Sequence, residues 1–101
     1  MSVDLELLPI EPPEQLYHGT AERFVSSILA QGLLRRSRQH VHLSADPLTA
    51  LKVGQRHGKP AVFTVASGVM HRDGIRFYRS ENGEWLVNAV PVAYLTKTQP
   101  G

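Results

Sequence analysis

The fold class the sequence predicts is α+β, and three observations predict it. Two segments with apolar residues at helical spacing lie in the first sixty residues. Five or six short apolar runs of strand type are spread along the chain. The pair Asn82-Gly83 is a strong hairpin signal, which makes the late strands mostly antiparallel. With 101 residues, 42% of them hydrophobic and 20% charged, the chain is expected to form one domain over 1–101 with a substantial core.

The elements follow in order. Residues 1–14 read as an extended lead-in, because Pro9, Pro12 and Pro13 prevent a regular helix. Residues 15–18 form a short strand that enters a turn at Gly19. Thr20 is placed as the N-cap of a helix whose apolar stripe is Phe24, Val25, Ile28 and Leu29. Gly32 ends that helix in the left-handed region. A strand over 38–44 comes next, and Asp46-Pro47 then supplies a cap followed by proline at the first helical position. This second helix carries Leu48, Ala50, Leu51 and Val53 and ends by Gly58. Strands are expected over 61–66 and 75–79, then a tight turn at Ser80-Glu81-Asn82-Gly83, then strands over 84–87 and 92–95.

Composition excludes several function classes. No apolar run approaches the roughly 20 residues that span a bilayer, so no membrane role is expected. The acidic N-terminus lacks the basic-then-apolar layout of a signal peptide. The absence of cysteine removes disulfides and thiolate metal sites and fits a reducing cytoplasm, the expected location. A net charge of +2 is too small to argue nucleic-acid binding. Arginine distribution is more informative. Arg35, Arg36 and Arg38 crowd ahead of the 38–44 strand, and Arg72, Arg76 and Arg79 recur later. Either a phosphate-bearing ligand or a solvated basic face accounts for that pattern.

The stretch Arg38-Gln39-His40-Val41-His42-Leu43-Ser44 concentrates the chemistry. Strand alternation places His40, His42 and Ser44 on one face and Val41 and Leu43 on the other. Polar groups on a buried face need partners once dehydrated, so an anionic or nucleotide-like ligand is expected against them. His40 and His42 alternate as two metal ligands would, with His18, His57 or His71 as a third, but no nearby carboxylate completes a metal motif and no metal is expected. There is no Gly-x-Ser-x-Gly elbow, phosphate loop or dinucleotide glycine fingerprint. Trp85 reads as a core residue. His18, directly before Gly19-Thr20, reads either as a turn histidine bonded to local backbone or as a ligand-orienting donor, with Gly19 admitting the ligand to backbone amides.

Four motifs together resemble the RNA 2′-phosphotransferase family. They are Leu16-Tyr17-His18-Gly19-Thr20, the 38–44 stretch, Val-Gly-Gln-Arg-His-Gly-Lys-Pro at 53–60 and Phe-Tyr-Arg-Ser-Glu-Asn-Gly at 77–83, in the family's order and spacing. The resemblance implies an ADP-ribosyltransferase-like fold, a split mixed β-sheet or sandwich with two short helices, that grips NAD⁺ as co-substrate without a metal. It implies transfer of an RNA or tRNA 2′-phosphate in tRNA processing. The 2′-phosphate attacks the nicotinamide-ribose carbon and expels nicotinamide. The ribose 2″-hydroxyl then attacks the phosphate, leaving 2′-hydroxyl RNA and ADP-ribose 1″,2″-cyclic phosphate.

By the same resemblance His18, Gly19 and Thr20 match the first NAD⁺-binding motif, and His42 and Ser44 the second. Arg38 matches the family's catalytic arginine, a guanidinium able to hold a phosphate bidentately. Ser80, Glu81 and Asn82 match the motif beside the ribose, and Arg56 is a further phosphate contact. Two departures stand out. The chain begins where the family's N-terminal RNA-binding lobe ends, so that lobe, with its Arg-His pair and further arginine, is expected to be missing. The usual Asn-Gly-Val-Trp-Leu is here Asn82-Gly83-Glu84-Trp85-Leu86. Glu84 reads either as an exposed strand residue or, by analogy with wider ADP-ribosyltransferases, as a catalytic glutamate completing a set with His18 and His42. The alternative functions are ADP-ribosyl transfer to another acceptor and non-catalytic nucleotide or RNA binding. Oligomeric state is not predicted.

Overall fold

The computed structural model describes residues 8–98. Eight strands and three helices alternate along it, in an α+β arrangement of small sheets. The first sheet has the order β1-β4-β8, formed by Leu16–Ala21, Pro60–Val65 and Leu95–Thr98. A second has the order β3-β6-β5, formed by Val41–Leu43, Trp85–Val87 and Tyr78–Arg79. Between them Leu33–Leu34 (β2) pairs with Ala89–Val90 (β7). Every pairing among the described residues is antiparallel, where a mixed sheet was expected.

The two larger sheets meet edge to edge. Tyr17 donates its N–H to the Ser44 carbonyl at 2.8 Å and accepts from the Ser44 N–H at 2.7 Å. Around this bridge Leu16, Val41, Leu43, Val65, Phe77, Trp85 and Val87 build the core, and Met70 and Ile28 add to it. Trp85 is a core residue, as its sequence context indicates. Leu16, Leu43 and Phe77 are essentially solvent-free, each contributing about 1.5–3 kcal/mol of transfer free energy.

One helix packs against the first sheet, on β1 and β4. α2, Pro47–Gln55, begins as the sequence predicts: Asp46 accepts from the Thr49 N–H at 3.1 Å and from its hydroxyl at 3.0 Å, and Pro47 occupies the first turn. The helix lies across β1 at van der Waals distance. A Cβ on Gly19 would overlap the Ala50 carbonyl, and one on Gly54 would meet the Thr20 carbonyl. Glycine at 19 is therefore required by strand–helix packing, whatever else it admits.

Several expectations are corrected. β1 does not stop at Gly19. It continues to Ala21, because Gly19 and Thr20 pair with Val62 and Ala61 of β4. Thr20 is consequently a buried strand residue and not an N-cap, and a 3-10 turn at Glu22–Phe24 leads into α1, Val25–Gln31. Gly32 does end α1 with positive φ, where a Cβ would strike the Val90 carbonyl. The strand expected over 38–44 shrinks to Val41–Leu43, with Arg38 in the preceding turn. Residues 92–94 form a 3-10 turn, and β8 begins only at Leu95.

A third helix, α3, Ser67–Arg72, stands where two helices in all were expected. It is six residues long and takes its definition from the lead-in: Gly68 N–H donates to the Glu14 carbonyl at 2.9 Å, Ser67 Oγ donates to the Pro13 carbonyl at 2.8 Å, and Arg72 grips Glu14 through two nitrogens. Residues 8–14 contain no helix or strand, as expected; the rest of the predicted lead-in lies outside the described residues. Among the described residues no helix is long and apolar enough to cross a membrane.

The Gly19–Ala50 contact gives a direct test. Gly19→Ala is expected to lower stability by about 1–3 kcal/mol or more, as overpacking against fixed backbone does. A thermal melt that matches wild type would contradict the close strand–helix approach.

Candidate functional site

The Tyr17–Ser44 bridge places the residues on either side of it in contact. His18 follows Tyr17 on β1, and His42 precedes Ser44 by two positions on β3. The His18 Nδ1–H donates to the His42 carbonyl at 3.0 Å. The imidazole of His42 in turn donates from Nδ1 to Glu84 Oε1 at 2.8 Å. A hydrogen-bonded chain thus runs from β1 through β3 to the residue ahead of β6.

Strand register explains the last contact. Val41 pairs with Val87, His42 with Leu86 and Leu43 with Trp85. Extending that alternation puts Glu84 diagonally across from His42 on the same face, a spacing long side chains can bridge. The opposite face is the core, where Val41, Leu43 and Trp85 are buried. The His42 and Glu84 side chains stay 38% and 51% exposed, so the pair is open to a ligand and adds little to fold stability.

Glu84 is also held from behind. Its N–H donates to Ser80 Oγ at 3.1 Å, and its carbonyl accepts from the Ser80 N–H at 2.8 Å. Gly83 closes the loop with positive φ and donates to the Ser80 carbonyl at 3.0 Å. The 80–83 segment is the expected hairpin, widened to a five-residue connection between β5 and β6. Ser80, predicted to touch the cofactor, accepts from the Glu84 N–H at Oγ and keeps its own O–H as a donor.

Burial pushes the His18 imidazole below its ordinary value of 6.5, and the nearby charges of His42, Arg38 and His57 act in the same direction. The hydrogen bond to the His42 carbonyl opposes this without reversing it. His18 is thus a neutral ring whose Nδ1–H is committed and whose Nε2 is left as an acceptor. His40 is also pushed down, by burial first and then by His42 and Arg35; its ring lies 5.8 Å from that of Tyr78.

The remaining predicted residues are distributed as follows. Ser44 serves through its backbone at the bridge, and Thr20 is buried in β1. Arg38 is exposed in the turn before β3, close enough for its charge to act on His18. Arg56 caps the C-terminal end of α2, with no side-chain hydrogen bond or ion pair among the described residues. Glu81 and Asn82 are exposed at the hairpin tip. His57, which the sequence offers only as a third metal ligand, lies close enough for its charge to act on His18. Its place in the 53–60 motif was the signal. Among the described residues no group of three side chains is arranged to hold a metal.

A neutral acceptor imidazole, a half-exposed carboxylate with one oxygen uncommitted and a free guanidinium together suit a ligand bearing ribose hydroxyls and phosphates. Residues 1–89 match the profile of the RNA 2′-phosphotransferase, Tpt1 / KptA family. A probable RNA 2′-phosphotransferase of Agrobacterium fabrum is 59% identical over 96 residues, 95% of this chain and 52% of its own length. Proteins with the same description from Acaryochloris marina and Nostoc punctiforme are 56% and 54% identical over 97 residues, 96% of this chain and 54% of theirs. The chain spans about half the length of the curated relatives it matches.

The depressed His18 value carries a pH signature. Well above 6.5 the ring is neutral in both folded and unfolded chains. Below 6.5 the unfolded chain binds the proton first, so stability falls as pH drops toward the lower folded value. In a ring-resonance titration His18 is expected to titrate below 6.5, and His18→Asn to flatten that part of the acid loss. A His18 midpoint at or above 6.5 would refute the neutral-ring assignment.

Proposed function

Because the chain belongs to the RNA 2′-phosphotransferase, Tpt1 / KptA family, we propose that it binds NAD⁺ beside His18, His42 and Glu84 and transfers its ADP-ribosyl group to an RNA 2′-phosphate. The split sheet is then an ADP-ribosyltransferase-like fold, with the two sheet edges joined at Tyr17 and Ser44 forming its cleft. The observation that carries this reading is the His18–His42–Glu84 chain.

NAD⁺ supplies a ribosyl bond to a good leaving group, and its cleavage builds positive charge on the ribose. Orientation and electrostatics should therefore dominate over proton transfer. Neutral His18 accepts a ribose hydroxyl at Nε2, and its neutrality avoids a cation beside the developing charge. The Glu84 carboxylate, aligned by His42, offers its second oxygen to another ribose hydroxyl and stabilises that charge. Arg38 holds the 2′-phosphate as it approaches and neutralises it during transesterification. Ser80 acts at one remove by fixing the Glu84 backbone.

Incubation with NAD⁺ and a 2′-phosphorylated RNA tests the reading, with nicotinamide release and dephosphorylation followed separately. NAD⁺ is expected to shift resonances of His18, Thr20, His42 and Ser44, and Glu84→Gln to slow nicotinamide release about a hundredfold. No specific shifts at millimolar NAD⁺ would overturn the NAD⁺ site. Wild-type release by Glu84→Gln would remove Glu84 from the mechanism, and modification of a different acceptor would replace RNA.

A further inference from the structure

We infer that the Arg35–Arg36–Asn88 depression is a second RNA contact, a subsite for the backbone phosphates flanking the 2′-phosphate; this rests on the function proposed above. The depression is shallow and open, lined by Leu34, Arg35, Arg36, Asn88 and Ala89. It sits where β2 and β7 pair, Leu34 opposite Ala89. Both arginines and Asn88 are exposed. Among the described residues neither Arg35, Arg36 nor Arg38 lies within ion-pair distance of a carboxylate. By contrast, Arg72 is fully engaged by Glu14.

The depression is continuous with the chemistry. Arg38 N–H donates to the Arg35 carbonyl at 2.9 Å, and Arg35 Nη1 donates to the Arg38 carbonyl at 3.3 Å, so one tight turn carries all three guanidiniums. The charge of Arg38 acts on His18, and that of Arg35 on His40. The turn therefore sets three guanidiniums with no carboxylate paired to them among the described residues between the histidine site and the depression. A single nucleotide phosphate at Arg38 would leave Arg35 and Arg36 unmatched, whereas a polynucleotide offers a phosphate at every step. Asn88 adds an amide able to donate to phosphate or sugar oxygens. The exposed Leu34 gives the depression an apolar floor against which a sugar or base can rest.

The test separates this subsite from the NAD⁺ site. Arg36 has φ +53, so asparagine is the replacement that tolerates its backbone, and Arg35→Gln/Arg36→Asn is the variant. Binding of a fluorescent single-stranded RNA lacking a 2′-phosphate is measured across a salt series, with NAD⁺-induced resonance shifts as the independent control. The double variant is expected to bind RNA at least about tenfold more weakly and to lose about 1.4 from the salt slope, roughly 0.7 per phosphate contact. NAD⁺ shifts should be unchanged. Unaltered RNA affinity and slope with intact NAD⁺ binding would overturn the subsite alone. Poly-glutamate competing as well as RNA at equal charge would also overturn it, in favour of a general acidic partner. Loss of NAD⁺ shifts in the wild type would instead strike the proposed function itself.

Discussion

Between Tyr17 and Ser44 two backbone hydrogen bonds tie an edge of one sheet to an edge of another. Neither sheet alone contains the site. β1 carries His18, β3 carries His42, and the loop ahead of β6 carries Glu84, on segments up to 66 positions apart in the chain. The bridge sets β1 and β3 in register, and the 3.0 Å bond from His18 to the His42 carbonyl follows from it. The β3–β6 ladder then aligns His42 with Glu84. A site built on strand register tolerates little slippage, since a one-residue shift would turn every functional side chain to the opposite face.

The same strand is fixed from its other side by α2. Gly19 and Gly54 let helix and strand backbones approach so closely that β1 has no room to shift toward α2. Gly19 thus has a packing role where a ligand role was anticipated, and the two are compatible because the strand has two faces. One face carries His18 toward the second sheet, and the other receives Ala50. Function and packing divide one short strand between them by simple alternation.

Local chemistry made part of this legible. Asp46-Pro47 announced α2, Gly32 the end of α1 and Asn82-Gly83 the hairpin, because each signal depends on residues a few positions apart. Alternation through Val41, His42 and Leu43 separated the buried face from the exposed one. Other elements depend on contacts distant in the chain. Thr20 has the side chain of an N-cap, yet ladder bonds to β4 hold it in a strand. α3 has no strong apolar period and exists because residues 13 and 14 cap it. Arg38 alternates with the strand in sequence but sits in a turn that the three arginines share.

By itself the sequence determined the family and the α+β class, since those rest on residue types and short spacings. Tertiary structure decided which side chains meet. Ser80 meets the backbone of Glu84, and Glu84, still half exposed, bonds to His42. Those outcomes depend on which backbone atoms meet across sheet edges. Such meetings are set by long-range pairing and burial, which no local pattern of residues encodes.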